Sequence, residues 1–419
     1  MNSFQIIVLG IFAFFIVAGL AAISLVKQNA GAEVISLTMW GSVDKDLVES
    51  IIGSTVNSET LKVSYREIPE WSLDKEIVEA LAVRRGPDML LLPLPLLTRY
   101  KDKLLVIPYS TYPERTFKDT FMQEGDLFLS KNGIIAFPFL LDPMVMYFNR
   151  DLLDEVKKPQ APRFWDEFIS LARDLTLRDE YGNISRSAVA LGEYRNINHA
   201  REILATLFMQ SGNPIVAKGD SVNKVTLDKS GTSPVLDFYT EFANPQKPVY
   251  SWNRSLPSAR SAFLAANLAI YFGFGSEYDG LRKGNPNLDF DIAPFPRPRD
   301  ASIAITYGKL TGVSILRTAS NTGVALQVAL TLVSPRALNI LRSKTGFPPV
   351  HRGLLTAKPT DAFGAVMYDS AFMARGFIDP NPAVSAGIFR NMIESVTSGR
   401  ARSKEALQKA NTEMKEAFR

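Results

Sequence analysis

The chain has 419 residues, 46% of them hydrophobic and 21% charged, with a net charge of +4 and no cysteine. A balance this close to neutral gives no footing for nucleic acid or a strongly acidic partner. The missing cysteines exclude disulfides, thiolate metal sites, cysteine nucleophiles and lipid attachment through sulfur. The two histidines, His199 and His351, lie far apart, with no zinc-type spacing around them.

The first element is an apolar segment. No charged residue occurs from Phe4 to Val26, a length that crosses a bilayer core of about 30 Å as a helix. No basic residue precedes it and it is longer than a secretory signal core, so an uncleaved anchor is favoured over cleavage near Ala30-Gly31-Ala32. Lys27 on the far side argues weakly against export of the body, but long domains cross largely regardless of charge. Residues 1–32 are therefore expected to be an anchor or signal segment, with a large extracytoplasmic body behind them.

That body is long enough for one large or two smaller lobes. Val34–Met39 alternates and ends at Trp40-Gly41, a strand. Leu47, Val48, Ile51 and Ile52 then share a helical face. Leu61–Ile68 reads as a strand, Leu73–Val83 as a helix and Met89–Leu92 as a strand, which is the pattern of a parallel α/β sheet. Ile134–Phe137 and Met144–Phe148 are short apolar runs on either side of Pro138 and Asp142-Pro143. Pro162–Thr176 reads as a helix that buries Trp165. Helices follow at Glu202–Gln210, Val235–Phe242 and Ser258–Ala266, strands at Leu268–Phe272 and Phe290–Ala293, and helices at Val324–Val333 and Ser403–Phe418.

Several runs carry a resemblance. Gly133-Ile-Ile-Ala-Phe-Pro-Phe-Leu-Leu-Asp142-Pro143 followed by Met146-Tyr147-Phe148-Asn149-Arg150-Asp151-Leu152-Leu153 resembles the extracellular solute-binding proteins of ABC importers, in the branch that takes oligosaccharides including maltose. Leu37-Thr-Met-Trp40-Gly41, Gly86-Pro87-Asp88, Pro162-Arg-Phe-Trp165-Asp-Glu167, Phe263–Tyr271 with Gly275-Ser276, Asn285–Phe290, Ala293–Pro296, Tyr307-Gly308 and Thr345–Val350 extend it in order along the body. The resemblance implies a two-lobed α/β periplasmic-binding-protein-like fold, each lobe a mostly parallel sheet flanked by helices, preceded by one transmembrane helix. It places lobe one at 34–140 and 294–333 and lobe two at 141–293 and 334–419. It further implies a monomer, held to the membrane by residues 4–26, that passes a small solute, expected to be a carbohydrate, to an ABC permease.

In such a cleft, aromatic faces stack on sugar C–H surfaces and polar side chains take the hydroxyls. Residues at strand ends and crossings are the candidates: Trp40, Trp71, Asp142, Trp252, Glu277, Tyr307 and Phe347, with Arg195 and Asn196 as further polar contacts. Two departures from the family pattern reduce stacking capacity. Glu277 stands where a Trp is common, and Ala383–Arg390 offers only Phe389. No cofactor or metal is expected. Enzyme readings fail for want of motifs: Ser211-Gly212 and Gly273-x-Gly275 complete neither a nucleophile elbow nor a phosphate loop, Asp289/Asp291 and Asp44/Asp46 read as solvated acids, and no tyrosine pair marks a ferric site. The competing function is a tethered sensor of the same fold without a transporter.

Overall fold

The computed structural model describes residues 34–219, 223–301 and 304–418, so the expected anchor at 4–26 lies outside the described residues. Among those described, no single helix is long and apolar enough to cross a membrane.

Among the described residues, eight of the ten strands of the main sheet carry the architecture: β1 (Ile35–Gly41), β2 (Leu61–Glu67), β3 (Met89–Pro93), β4 (Ala136–Asn149), β5 (Ile184–Val189), β6 (Leu268–Phe274), β7 (Phe290–Ala293) and β8 (Thr306–Ile315). Their order is β2-β1-β3-β8-β4-β6-β5, with β7 also on β4. β1 pairs parallel with β2 and β3. The Met-Leu-Leu-Leu run of β3 is buried throughout, as expected of a strand covered on both faces. Helix Lys45–Thr55 is started by Asp44, which accepts from Leu47 N, and buries Leu47, Val48, Ile51 and Ile52.

β4 joins the two halves. From Ala136 to Pro143 it pairs with β8, and from Met144 onward with β6 and β7. The two apolar runs read separately in the sequence are thus one strand that changes partners at Pro143/Met144. Two hydrophobic cores lie on either side of this change. One gathers Leu37–Leu141 and Leu310–Ala374. The other gathers Met144–Tyr307, Met367 and Phe377–Met414.

Three expectations are corrected. Both halves of the sheet are mixed: β8 runs antiparallel to β3 and β4, and β4 enters the second half antiparallel to β6 and β7, beside the parallel β6–β5 pair. Residues 334–355 pack with the first core, through Ala337, Leu338, Leu341, Val350 and Leu355. The return to the second core therefore comes later, along helix Ala362–Met373, which gives Met367 to one core and Tyr368 and Ala371 to the other. Finally, the helix expected from Pro162 starts at Glu167. Residues 163–165 instead bond Arg297 through the backbone, with Arg297 N donating to Arg163 O at 3.1 Å and Trp165 N to Arg297 O at 3.3 Å. Trp165 is buried among Phe168, Phe238, Phe272 and Phe295, as its spacing predicts.

Candidate functional site: the cleft between the two cores

A cleft of about 1190 Å³ opens between the two cores. Its first wall is made where parallel strands end: Ser42–Asp44 after β1, and Pro93–Pro95 after β3, with Glu70 at the start of helix Glu70–Ala82. This is where open α/β sheets present ligands. Its floor is the crossing pair β4/β8, from which Asp142 and Tyr307–Thr311 face in. Its second wall is His199–Glu202, Gly275-Ser276 and Tyr278-Asp279, and Lys344–Phe347, Asp361 and Phe363 complete one end.

Asp142 sits opposite Lys309 in the β4/β8 register and is 6% exposed. Its hydrogen-bond partners come from Ser276, whose backbone N–H donates to Oδ1 at 3.1 Å. Burial pushes its carboxyl up to about 6, against the Ser276 hydrogen bonds and the Lys309 charge. Gly275 favours this approach: a Cβ there would press on the end of the Met367 side chain and stand 3.2 Å from Asp142 Oδ1. Lys309 itself turns elsewhere, with Nζ 4.3 Å over the Phe274 ring and 3.9 Å from Glu70 Oε2.

His199 holds a left-handed backbone, φ 60°, as the residue before helix Ala200–Gln210. Its Nε2 lies 2.7 Å from Glu277 Oε1, and its ring meets Phe274 edge-on at 4.8 Å. Tyr271 Oη donates to Glu277 Oε2 at 2.6 Å, Phe274 N donates to Oε1 at 2.9 Å, and Arg260 Nε is 3.8 Å away. Burial alone would raise the Glu277 carboxyl. The contacts from His199, Tyr271 and Phe274 outweigh it and hold the group below its ordinary value. The next residues form a second network. Arg201 pairs with Glu202 at 2.7 Å and Asp379 at 3.1 Å, and donates to Ser385 Oγ at 3.0 Å.

The aromatic surface is a shelf at one end. Tyr278 opens one helix and Phe363 lies in the first turn of another, and their ring centroids are 4.6 Å apart at 38°. Phe347 follows the left-handed Gly346 that ends helix Pro335–Thr345, and Gly346 approaches the Phe363 ring closely.

Of the sequence-predicted site residues, the cleft brings together Asp142, Tyr307 and Phe347. Tyr307 is only 4% exposed and packs edge-on against Phe274 and Phe377. The other four stand outside the lining. Trp252 is a core residue, 1% exposed, with Nε1 donating to Asn196 Oδ1 at 3.2 Å. Glu277 is a strut behind His199. Trp40 packs partly on the first core, with the Arg66 guanidinium 4.8 Å over its ring, because the two face each other in the β1/β2 register. Trp71 projects into solvent, 88% exposed. Arg195 pairs with Glu394 at 2.7 Å on the surface, and Asn196 donates to backbone carbonyls of Asn253 and Leu256.

The residues the sequence did not single out are His199, Arg201, Tyr278, Lys309 and Phe363. Tyr278 had a weak signal, as the neighbour of Glu277 after an apolar strand. Phe363 had none. No group of histidines and acids suited to a metal occurs among the described residues.

No curated protein matches the chain in sequence. In fold it is similar to a cyclo/maltodextrin-binding protein solved with maltotetraose, at 15% identity and TM-score 0.74 over 93% of this chain and 99% of that one. A cyclic α-maltosyl-1,6-maltose binding protein from Arthrobacter globiformis is similar at 15% identity and TM-score 0.76, over 92% and 99%. A solute-binding protein of an ABC transporter from Thermotoga lettingae, solved with α-D-tagatose, is similar at 18% identity and TM-score 0.68, over 92% and 100%. The family described as bacterial extracellular solute-binding protein matches residues 73–337. That match spans more than half of the chain, so the chain belongs to this family, a family of binding proteins rather than enzymes.

Proposed function

We propose that the protein captures a carbohydrate in the cleft between its cores and delivers it to an ABC permease, held at the outer face of the cell membrane by residues 4–26. The observation that carries the carbohydrate reading is the combination of the Tyr278–Phe363 shelf and Phe347 with the buried, cleft-facing Asp142. Ring faces suit the apolar face of a sugar, and a carboxylate accepts from its hydroxyls. The structural neighbours named with maltotetraose and tagatose support the same class. On this reading lobe one is about residues 34–143 with 308–355, and lobe two is the remainder of the body. Closure about β4, β8 and helix Ala362–Met373 then encloses the solute.

The test is a thermal-shift panel of mono- and oligosaccharides with amino acids and polyamines as controls. A ligand that binds only the folded state raises its stability by RT ln(1 + [L]/Kd). The expected result is a shift with one saccharide class that Asp142→Asn and Phe363→Ala reduce. A shift confined to amino acids or polyamines would overturn the reading.

A further inference from the structure

The charge balance of the cleft narrows the class of saccharide, and this step rests on the carbohydrate reading. Although the whole chain carries +4, the cleft is acidic. Glu70 and Glu202 are matched by Lys309 and Arg201. Five more acids at its wall, Asp44, Asp46, Asp142, Asp279 and Asp361, have no ion-pair partner among the described residues, and the one cation in the same position is Lys344. Asp44 and Asp361 are partly offset by capping Leu47 N and Gly364 N. Asp46 and Asp279 stand in the first turn of their helices, and Asp142 accepts from Ser276, so the acid excess at the wall is reduced but not cancelled.

Asp142 is the independent observation that points to a ligand. It is a cleft-facing carboxyl, more than nine-tenths buried, bonded through Ser276 alone and joined by no cation. Lys309, the natural counter-ion across the strand pair, is engaged with Phe274 and Glu70. A neutral sugar would satisfy the hydrogen bonds of this carboxylate and leave its charge to the Lys309 field alone in a closing, drying cleft, where such a charge is most costly. An ammonium group satisfies both. Asp279 directly follows Tyr278, and Asp361 lies two residues before Phe363, so acids flank the aromatic shelf as well. The Arg282 guanidinium already lies 5.3 Å over the Tyr278 ring, so a cationic sugar would meet the Phe363 ring and the flanking carboxylates.

We propose that the solute is an amino sugar, or an oligosaccharide of amino sugars, with its amine free, and that Asp142 takes the ammonium while Tyr278 and Phe363 take the sugar face. Two variants separate this from a neutral-sugar site. Asp142→Asn removes the central charge. Asp279→Asn removes a charge from an exposed residue, with no packing at stake.

The experiment is calorimetric titration of the full chain in detergent micelles with glucosamine dimers and trimers, their N-acetylated counterparts, and maltose and maltotriose, at low and at moderate salt. The expected result is binding of the free-amine oligomers about tenfold or more tighter than the acetylated ones. That margin should shrink with salt, fall with Asp279→Asn and vanish with Asp142→Asn. Equal or tighter binding of the acetylated or malto-oligosaccharides would overturn the inference and leave the carbohydrate reading standing. Failure of every saccharide to bind would overturn both.

Discussion

Asp142 and Glu277 approach the same short segment, Gly275-Ser276-Glu277, and differ in everything that decides the state of a charge. Glu277 is met by His199, Tyr271, the Phe274 N–H and Arg260, and its carboxyl is held low. Asp142 has hydrogen bonds from Ser276 and only the charge of Lys309 across the strand pair, and burial pushes it up to about 6. Both are acids beside the crossing strands and both read as ligand contacts in the sequence. Their partners separate them. The first is a strut that fixes His199 at the cleft wall, and the second keeps its capacity for a ligand.

The largest effect should come from breaking the strut. Glu277→Ala leaves the Tyr271 hydroxyl and His199 without their acceptor, and denaturant titration should show a loss of about 3 kcal/mol of stability. Asp142→Asn should do the reverse: saccharide affinity falls by about tenfold to a hundredfold in calorimetry, as for a hydrogen bond to a charged group, while stability at neutral pH holds or rises. If Asp142→Asn proves the more destabilising of the two, the contrast fails.

The two acids also oppose each other in pH. Glu277 has a lowered folded-state value, so its contribution is present above the ordinary carboxylate range and is lost as pH falls through it. Asp142 has a raised one. The folded state then binds more protons than the unfolded, and its contribution falls as pH rises from about 4 to about 6. Glu124 extends the trend. It is buried beside Arg375 and Gly376 with Oε1 unpaired, and burial pushes it up to about 8. Melting curves of the ligand-free protein should therefore decline between about pH 5 and pH 8, and Glu124→Gln should flatten the upper part of that decline.

Smaller effects test the shelf. Phe363→Ala should cost about 1 kcal/mol of saccharide binding, the value of one aromatic contact. Trp71→Ala should change both stability and affinity by less than about 0.5 kcal/mol, as for an exposed side chain away from the site. A large loss of affinity at Trp71 would mean that the cleft rim extends to helix Glu70–Ala82.

β1 to β3 and the helices between them were legible because their apolar spacing is regular and each face has one environment. β8 was not read as a strand. Its Gly308, Lys309, Thr311 and Gly312 interrupt the apolar pattern, and it does so because much of it faces the cleft. Helix Pro335–Thr345 lies in the stretch expected in lobe two and packs with the first core, and a sequence shows that a segment is apolar but not which core receives it. The site was legible by residue type and not by address. Trp252, between prolines, looked like a loop aromatic, yet its backbone N–H reaches Phe242 O at 3.1 Å and folds the ring inward. Tyr278 and Phe363 meet only in three dimensions, and neither carries a local signature of its partner.

A solute that sits between the lobes should draw them together. Because the chain has no cysteine, a pair introduced at exposed positions on opposite lobes, Lys75→Cys and Lys283→Cys, is uniquely labelled for pulsed electron spin distance measurement. The expected distance distribution shortens when the saccharide found in the thermal-shift panel is added, and stays unchanged in the Asp142→Asn background at the same concentration. A distribution that does not move in the parent protein, under conditions where calorimetry shows the saccharide bound, would contradict this closure.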